Sequence, residues 1–306
     1  MNKKAIIIDT DPGIDDAVAL AIGLFSEELD VKLITTVAGN VSIEKVTNNA
    51  LKLLKYYGKK VPVAMGASEP LIEKFQDASE VHGVSGMDGF DFEEPTNELL
   101  LEENAINVMR RVILESETPI TIVPIGPMTN IAMLLKVYPE VKRNIKEIVF
   151  MGGSMSRGNR GVMSEFNIAV DPEAAQIVFS SGLKITMVGL EMGNGAVVQL
   201  EDTGKMRDIN KIGFMISSLF KKYRSSTLKK GFAMYDVHAI AYLLHPEIYE
   251  TKDTYIEVEL NKGLTRGCTV IDLNGYLKNE NNITVCTKLN EEKFKEWFIE
   301  SLINCK

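Results

Sequence analysis

Residues 5–20 restrict the fold of this chain most strongly, because they join a short apolar run to a helical pattern through a tight turn. Residues 6–8 are three isoleucines, which predict a buried strand, and the apolar residues after Ile14 have helical spacing. Pro12 and Gly13 mark the turn between the two. The segment therefore predicts a strand that passes directly into a helix.

Four aspartates surround this turn, namely Asp9, Asp11, Asp15 and Asp16. Carboxylates placed so closely repel one another and raise each other's pKa unless a cation lies among them. An N-cap and the helix dipole account for one or two acidic residues at a helix start, but not for four. Because carboxylate oxygens are hard ligands, the turn predicts a site for Ca²⁺ or Mg²⁺.

Two other chemistries are compatible with an aspartate-rich turn. An EF-hand loop that began at Asp9 would need a glycine where Ile14 stands and a glutamate where Leu20 stands, so this alternative fails. A phosphotransferase of the haloacid dehalogenase type also opens with a strand followed by Asp-x-Asp, as Asp9 and Asp11 do here. The residues of the turn alone leave that alternative open.

Strand-like and helix-like segments alternate along the rest of the chain, which predicts βαβ units in an open, mostly parallel sheet flanked by helices. The predicted strands are 31–37, 61–65, 120–125, 147–151, 184–190, 255–260, 269–273 and 283–287. The predicted helices are 42–57, 97–114, 128–137, 172–179, 209–228, 237–244 and 291–303. Residues 75–95 contain three glycines and little periodicity, which predicts a long loop of the kind that acts as a lid. We expect one α/β domain over residues 1–306.

Ligands of such sheets bind outside the carboxyl ends of the strands. Polar and glycine-rich residues follow several of the predicted strands, at 9–16, 39–40, 126–127 and 152–153. The sequence therefore predicts one composite site at this edge.

Composition excludes several classes of partner. The net charge is -8 and no sizeable basic cluster occurs, which argues against nucleic acid. The first apolar run breaks at Asp9, too early for a signal peptide, and no stretch reaches the ~18 apolar residues of a membrane span. Cys268, Cys286 and Cys305 lack metal-ligand spacing, so we expect reduced thiols in a cytoplasmic protein.

Several polar residues elsewhere have both a functional and a structural explanation. Glu165 and Asn167 would face the same way in an extended segment, and a carboxylate beside an amide suits sugar hydroxyls. A polar loop surface explains them equally simply. Asn40 fits an ordinary turn, and Asp236 fits an N-cap of the apolar helix that follows it.

The histidines divide in a similar way. His82 lies in the glycine-rich loop, where it is either an exposed side chain or a general acid that closes over a site. His238 is expected to be structural, and His245, before Pro246, is expected to cap a helix end. The sequence contains no P-loop or dinucleotide-binding glycine pattern.

The motifs together resemble the inosine-uridine-preferring nucleoside hydrolase family. In the family's order they are DTDPGIDDAVAL (9–20), AGNV (38–41), HGVSG (82–86), IGPMTNIA (125–132), MGG (151–153), GNRGVMSEFNIAVDPEAA (158–175), YDVHAIAYL (235–243) and RGCTVID (266–272). The combination of DPGxDD with EFNxxxDPEAA is highly specific. The phosphotransferase alternative falls behind, because its later lysine and acidic motifs have no clear counterpart.

The resemblance implies a Rossmann-like fold with a tightly bound Ca²⁺ at the strand ends. It implies calcium binding by the carboxylates of Asp11, Asp16 and Asp236 and by the backbone oxygen of Ile125, with Asp9 as support behind them. It also implies that the ribose hydroxyls are held by Asp15, Asn40, Met151, Asn159, Glu165 and Asn167.

The implied reaction is hydrolysis of the N-glycosidic bond of a ribonucleoside to ribose and free base, in nucleoside salvage. Asp11 would be the general base for the attacking water, whose pKa the calcium lowers. The transition state resembles an oxocarbenium ion, so nearby carboxylates stabilise it. The family also implies a homodimer or homotetramer.

Two positions depart from the family pattern. Many members carry a histidine immediately before the calcium-binding aspartate, where it helps to protonate the leaving base, and this chain has Tyr235 there. Tyrosine is a weaker acid at neutral pH, although it can donate a hydrogen bond or stack on a base. His82 is the candidate for part of the acid role. Gly193 stands where the family often has threonine, and both changes leave the base preference open.

Two other functions remain to be separated by experiment. One is a non-catalytic ribose- or nucleoside-binding protein, which the intact Asp11 argues against because binding alone needs no general base. The other is a hydrolase of a different ribosyl compound, such as nicotinamide riboside, which a substrate panel distinguishes.

Overall fold

In the computed structural model, which describes residues 3–222 and 231–306, nine strands form one sheet and two form a separate antiparallel pair. The strands are β1 Lys4–Thr10, β2 Leu29–Thr36, β3 Val63–Met65, β4 Leu100–Leu101, β5 Ile120–Pro124, β6 Ile145–Met151, β7 Ile185–Val188, β8 Tyr249–Thr254, β9 Ile256–Val258, β10 Thr269–Ile271 and β11 Ile283–Leu289. The order in the large sheet is β4-β3-β2-β1-β5-β6-β7-β11-β8, and β9 pairs with β10. Only the β11–β8 pairing in the large sheet is antiparallel among these described strands, so the predicted mostly parallel sheet is confirmed.

Helices cover both faces of this sheet, as a parallel sheet requires. The helices are α1 Ile14–Phe25, α2 Ile43–Tyr57, α3 Ser79–His82, α4 Ala105–Glu115, α5 Thr129–Val137, α6 Phe166–Val170, α7 Pro172–Phe179, α8 Leu190–Gly195, α9 Leu200–Arg207, α10 Lys211–Phe220, α11 Val237–Leu244 and α12 Glu291–Asn304. Short 3₁₀ turns occur at Asn97–Leu99, Pro139–Asn144 and Pro246–Ile248. Among the helices in the described part of the chain, none has the length and apolar character needed to cross a bilayer.

Strand β1 lies at the centre of the sheet because its apolar side chains pack into a hydrophobic core on each face. Ile6 and Ile8 belong to the core beneath α1, α10 and α11, whereas Ile7 belongs to the core beneath α4, α5 and α7. All three side chains are fully buried. The alternation of strand side chains between two faces thus explains the uninterrupted apolar run in the sequence.

The strand order also fixes where a ligand can bind. From β1 the chain builds outward through β2 and β3 to β4, and it then returns to place β5 on the other side of β1. This reversal opens a crevice at the carboxyl ends of β1 and β5. Residues 11–16 follow β1 and residues 125–127 follow β5, so both segments meet at that crevice.

The predicted helix at 97–114 was wrong in its first turns. The structure has the 3₁₀ turn Asn97–Leu99 and the edge strand β4, and α4 begins only at Ala105. Asn104 is the N-cap, because its side-chain oxygen accepts a hydrogen bond from the backbone N–H of Ile106 at 2.9 Å. The pairing of β4 with β3 is a long-range contact that the apolar spacing does not reveal.

Other boundaries also differ from the predictions. Strand β8 was missed because its sequence, YETKDT, is mostly polar and exposed at the sheet edge. The predicted strand 184–190 ends at Val188, and the helices α8 and α9 that follow were not predicted. The predicted helix 209–228 corresponds to α10 Lys211–Phe220, and its residues 223–228 lie outside the described part. The strands predicted at 255–260 and 269–273 form the small separate sheet.

Candidate active site

A cavity of about 400 Å³ opens at the carboxyl ends of the central strands. Its lining consists of Asp15, Asn40, Ala78, Glu80, Val81, His82, Ile125, Met151, Asn159, Arg160, Glu165, Phe166, Asn167, Tyr235 and Asp236. All the residues predicted for the site are in this lining except Asp11 and Asp16, which are buried and contact the lining residue Asn40. The tertiary structure therefore brings the predicted residues to one place.

Three of the aspartates form a compact cluster beside the cavity. Asp15, Asp16 and Asp236 each offer a carboxylate oxygen, and these oxygens lie within 4.8 Å of one another. Burial, reinforced by the charge of Asp16, raises the pKa of Asp15 to about 7. Burial and the charges of Asp15, Asp16 and Asp11 raise the pKa of Asp236 well above its usual range. Such a cluster is relieved either by protons or by a hard divalent cation.

Asp11 is wedged between two glycines. Its Oδ2 accepts a hydrogen bond from the backbone N–H of Asn40 at 2.7 Å, and within the described residues its buried Oδ1 has no hydrogen-bond partner. A Cβ atom at Gly39 would lie 2.0 Å from Oδ2, and one at Gly126 would lie 2.6 Å from Oδ1. These glycines allow the backbone to approach the carboxylate. Burial, with the charges of Asp16 and Asp15, raises the pKa of Asp11.

The carboxylate oxygens beside the cavity are suitable ligands for a divalent cation. To the carboxylate oxygens of Asp15, Asp16 and Asp236, Asp11 adds a buried Oδ1 that has no hydrogen-bond partner among the residues the structure describes. Hard oxygen donors of this kind suit Ca²⁺ better than a soft metal. The residues present therefore fit the group that the sequence motifs imply.

Asp16 is held firmly in place at the start of α1. Its Oδ1 accepts a hydrogen bond from the Thr10 hydroxyl at 2.6 Å, and its Oδ2 accepts one from the Gly13 backbone N–H at 2.9 Å. The Asn40 amide also donates to Oδ2, at 3.2 Å. One carboxylate thus closes the turn, satisfies the helix start and contacts the cavity wall.

Asp9 lies behind the cavity, not in it. Its carboxylate accepts hydrogen bonds from the Thr35 hydroxyl and, at 2.8 Å, from the Asn130 amide. Its backbone oxygen accepts a hydrogen bond from the Ile125 N–H at 2.8 Å. Asp9 therefore links β1 to the segment that carries Ile125, and burial raises its pKa to about 7.

Glu165 and Asn167 lie neither in an extended segment nor on a polar loop surface, because Glu165 is the N-cap of helix α6 and Asn167 belongs to that helix. Its carboxylate accepts hydrogen bonds from the backbone N–H groups of Asn167, Ile168 and Gly153 at 2.9, 3.2 and 2.9 Å. These donors would otherwise be unsatisfied at the helix start. Both side chains still reach the cavity, and burial raises the pKa of Glu165 to about 7.

Asn167 ties three segments of the site together. Its amide donates to the backbone oxygens of Ile125 and Met151, each at 3.1 Å. A carbonyl oxygen has two lone pairs, so the Ile125 oxygen retains the capacity for a second ligand. Asn159 supports the same wall, since its side-chain oxygen accepts a hydrogen bond from the Phe166 backbone N–H at 2.9 Å.

His82 is buried and is held by the first helix. The backbone N–H of Ile14 donates to its Nδ1 at 3.2 Å, so the ring proton of the neutral histidine is on Nε2. Burial lowers the pKa of His82 to about 4. The alternative of an exposed loop histidine was therefore wrong. At neutral pH the ring is a hydrogen-bond donor through Nε2–H and is not an imidazolium acid.

Tyr235 forms part of the wall next to the aspartate cluster. Its backbone N–H donates to the carboxylate of Asp15. Its hydroxyl donates to the side-chain oxygen of Asn194 at 3.1 Å, and its ring is half-buried. The tyrosine is thus fastened at both its backbone and its hydroxyl.

Several lining residues were missed by the sequence analysis. Arg160 lies with one guanidinium nitrogen 3.7 Å from the Glu80 carboxylate and with its guanidinium 5.7 Å from the centre of the Phe166 ring. The missed residues are Ala78, Glu80, Val81, Arg160 and Phe166. Arg160 and Phe166 lie inside the motif at 158–175, and Glu80 and Val81 lie just before the motif at 82–86, whereas the sequence offered no signal for Ala78.

The remaining histidines lie away from the cavity. His238 is fully buried, its Nδ1 is 2.9 Å from the Tyr249 hydroxyl, and its ring stacks on Phe294. His245 is the C-cap residue of α11 and pairs with Glu247. Both positions agree with the structural roles expected for them.

Comparison with known proteins decides the family. The family model described as inosine-uridine preferring nucleoside hydrolase matches residues 6–296. The chain belongs to this family. It is therefore an enzyme, an N-glycosyl hydrolase, and the resemblance drawn from the sequence motifs is confirmed.

Individual relatives cover almost the whole chain. The chain is 46% identical over 295 residues to the non-specific ribonucleoside hydrolase RihC of Salmonella newport, with 96% of each chain covered. A purine-preferring ribonucleoside hydrolase from Gardnerella vaginalis superposes with a TM-score of 0.91 at 29% identity, covering 99% of each chain. The plant nucleoside hydrolase PpNRh1 superposes with a TM-score of 0.92 at 27% identity, covering 98% of this chain and 99% of the other.

Proposed function

We propose that this protein is a calcium-dependent ribonucleoside hydrolase that releases ribose and free base from nucleosides with different bases, in nucleoside salvage. The observation that supports this proposal most strongly is that a buried aspartate cluster shares one cavity with carboxylate and amide side chains suited to sugar hydroxyls. The full-length similarity to a non-specific ribonucleoside hydrolase supports a broad range of bases.

The proposed calcium ligands are the carboxylates of Asp11, Asp16 and Asp236 and the backbone oxygen of Ile125. When bound, the cation supplies Lewis acidity that makes a water molecule a stronger nucleophile. Asp15, which belongs to the same cluster, also lines the cavity and accepts the Tyr235 N–H, so we assign it to the ribose hydroxyls.

Asp11 is the proposed general base. Its Oδ2 is fixed by Asn40 and its Oδ1 has no hydrogen-bond partner among the described residues, so one oxygen is oriented and the other is available to take a proton. Burial raises the pKa of this carboxyl group in the metal-free protein, whereas a bound cation would lower it and keep the group ionised, which is the form that accepts a proton. A base that acts only during bond cleavage affects the rate more than the affinity.

Ribose binding is assigned to Asp15, Asn40, Met151, Asn159, Glu165 and Asn167. Glu165 and Asn167 are held by backbone hydrogen bonds, so they meet the sugar hydroxyls in a preorganised arrangement. The buried carboxylates stabilise the positive charge that develops on the ribose ring. For the base on the other side of the N-glycosidic bond, the Nε2–H of neutral His82 is the proposed hydrogen-bond donor.

The first test is ribose release from uridine, cytidine, inosine, adenosine and nicotinamide riboside, measured by a reducing-sugar assay with and without a calcium chelator. We expect release from several nucleosides, loss of activity with the chelator, and recovery when Ca²⁺ is added. In Asp11→Asn we expect kcat to fall by about 100-fold or more with a much smaller change in KM.

The exposed Asp208 provides a matched control, since Asp208→Asn makes the same chemical change outside the cavity lining and should leave kcat unaltered. Near-normal turnover in Asp11→Asn with intact metal binding would contradict the assignment of the base. If ribose binds in calorimetry but none of these nucleosides is cleaved, the enzyme acts on another ribosyl compound.

A further inference from the structure

The ring of Tyr235 occupies a slot that exists because residue 193 is a glycine. A Cβ atom at Gly193 would lie 2.4 Å from Cδ1 and 2.9 Å from Cε1 of the Tyr235 ring. It would also lie 2.6 Å from the backbone oxygen of Met234. Contacts below about 3 Å do not occur in packed interiors, so any side chain at position 193 must displace the tyrosine ring and the residue before it.

Helix α8 fixes the same tyrosine in a second way. Asn194 is the next residue of that helix, and its side-chain oxygen accepts the hydrogen bond from the Tyr235 hydroxyl at 3.1 Å. The backbone N–H of Tyr235 is bound to Asp15 at the other end of the residue. The helix thus both opens the slot and anchors the far end of the ring.

Tyr235 lines the cavity, and its hydroxyl donates a hydrogen bond to Asn194, so its ring is the surface that we take to meet a ligand there. Aromatic faces bind nucleobases by stacking, with little preference for one base over another. A ring that moved or tilted would change the fit for large and small bases to different extents.

We propose that Gly193 is a positioning residue that, together with Asn194, places the Tyr235 ring as the wall against which the leaving base stacks. This inference rests on the proposed ribonucleoside hydrolase function. Position 193 then controls the relative rates on purine and pyrimidine nucleosides without touching the substrate itself.

The test compares Gly193→Ala with the wild type, using inosine and uridine as substrates and D-ribose as a competitive inhibitor. We expect kcat/KM for the more strongly affected nucleoside to fall about tenfold, which is at the lower end of the effect of removing a stacking partner. The ratio of kcat/KM for inosine to that for uridine should therefore change. The inhibition constant for ribose should stay unchanged, because ribose does not reach the wall.

Gly195 provides the matched control in the same helix. A Cβ atom there would have no neighbour closer than 3.8 Å, among the contacts within the described residues. Gly195→Ala makes the same change in helix propensity without touching Tyr235. Its kcat/KM values should remain within about twofold of the wild type for both nucleosides.

A double-mutant cycle separates the positioning effect from general damage. Tyr235→Ala removes the wall, so adding Gly193→Ala to it should change the inosine-to-uridine ratio by less than about twofold further. Tyr235→Ala alone should alter that ratio in the same direction as Gly193→Ala.

Three results would overturn the inference. The first is an inosine-to-uridine ratio of kcat/KM in Gly193→Ala equal to that of the wild type. The second is a double variant in which the separate effects of Gly193→Ala and Tyr235→Ala on that ratio multiply. The third is a ribose inhibition constant in Gly193→Ala that rises by the same factor by which kcat/KM falls. Failure of the proposed function itself is distinguishable, because the wild-type enzyme would then release no ribose from either nucleoside.

Discussion

At the scale of single residues, the site depends on close contacts between backbone and carboxylate. Asp11 can be buried at the end of β1 because Gly39 and Gly126 present no side chain to its oxygens. The same absence of a side chain at Gly13 leaves room for His82 and Asn40, since a Cβ atom there would lie 2.7 Å from Nδ1 of His82. Glycine is therefore required at these positions for space, not for an unusual backbone angle.

Replacing Gly39 by alanine should disturb Asp11 directly. The new Cβ atom would lie 2.0 Å from Oδ2 of Asp11, and the carboxylate would have to move by about an ångström. A displacement of that size at a catalytic group costs about 100-fold in kcat. Steady-state kinetics of Gly39→Ala measure this loss. Gly263→Ala is the control, because a Cβ atom there would meet no described atom within 4 Å. Equal activity of the two variants would contradict the prediction.

His82 gives a prediction about pH at the same scale. Because burial lowers its pKa to about 4, His82 stays neutral throughout the range from pH 5.5 to 8. His82→Gln should lower kcat about tenfold, the cost of a weakened hydrogen bond, and leave the shape of the pH–rate profile unchanged. Measuring both profiles tests this. Loss of a titration step between pH 5.5 and 8 in the variant would show that His82 transfers a proton as an acid.

At the scale of elements, the site is made by helix starts that carry carboxylates. Asp15 and Asp16 lie in the first turn of α1, Asp236 precedes α11, and Glu165 caps α6. Helix starts present unsatisfied N–H groups and the positive end of the dipole, and both favour acidic side chains. Burial nevertheless dominates here, because it raises the pKa of each of these carboxylates.

These raised pKa values predict how stability depends on pH when metal is removed. A carboxyl group whose folded pKa is about 7, such as Asp9, Asp15 or Glu165, holds its proton in the folded state and releases it on unfolding above about pH 4. Its stabilising contribution is complete below the unfolded pKa and is lost as the pH rises through 7. Burial lowers the pKa values of His82 and His238, so their contribution to stability increases as the pH rises. The carboxyl groups with raised pKa values outnumber these histidines, so the net stability falls.

In a chelator we therefore expect a lower Tm at pH 8 than at pH 5.5. Added Ca²⁺ should raise Tm more at pH 8 than at pH 5.5, since the proposed ligands must be deprotonated to bind. Thermal unfolding at both pH values, with and without Ca²⁺, measures the two effects. A Tm in chelator that is higher at pH 8, or a calcium effect that is larger at pH 5.5, would contradict the role assigned to the aspartates.

At the scale of the whole molecule, the reversal of strand order between β1 and β5 brings the residues of the site together. Segments far apart in sequence meet at the crevice where the strand order reverses. Residues 11–16, 125–127 and 152–153 follow strands β1, β5 and β6, whereas residues 235–236 precede helix α11. Cytoplasmic location and assembly as a homodimer or homotetramer stay predictions at this scale. Light scattering of the purified protein measures the oligomeric state.

The sequence by itself determined most of the elements and the chemical character of the site. The β-branched run at 6–8, the Pro12–Gly13 turn and the four aspartates act through neighbours along the chain, so their consequences are visible in the order of the residues. The motifs were long enough to indicate the family. The helix predicted over 97–104 was wrong because β4 pairs with β3, a long-range contact. The helix that begins at Glu165 was not predicted, because it depends on the hydrogen bonds of its cap.

Only the tertiary structure decided how remote residues act on one another. The low pKa of His82 arises from burial beside α1, and the raised pKa of Asp236 arises from burial beside Asp15 and Asp16. In the sequence, Gly193 and Tyr235 are two unrelated departures from the family pattern, whereas in the fold one makes room for the other. Desolvation, charge interaction and steric overlap depend on distances in space, and packing sets those distances independently of separation along the chain.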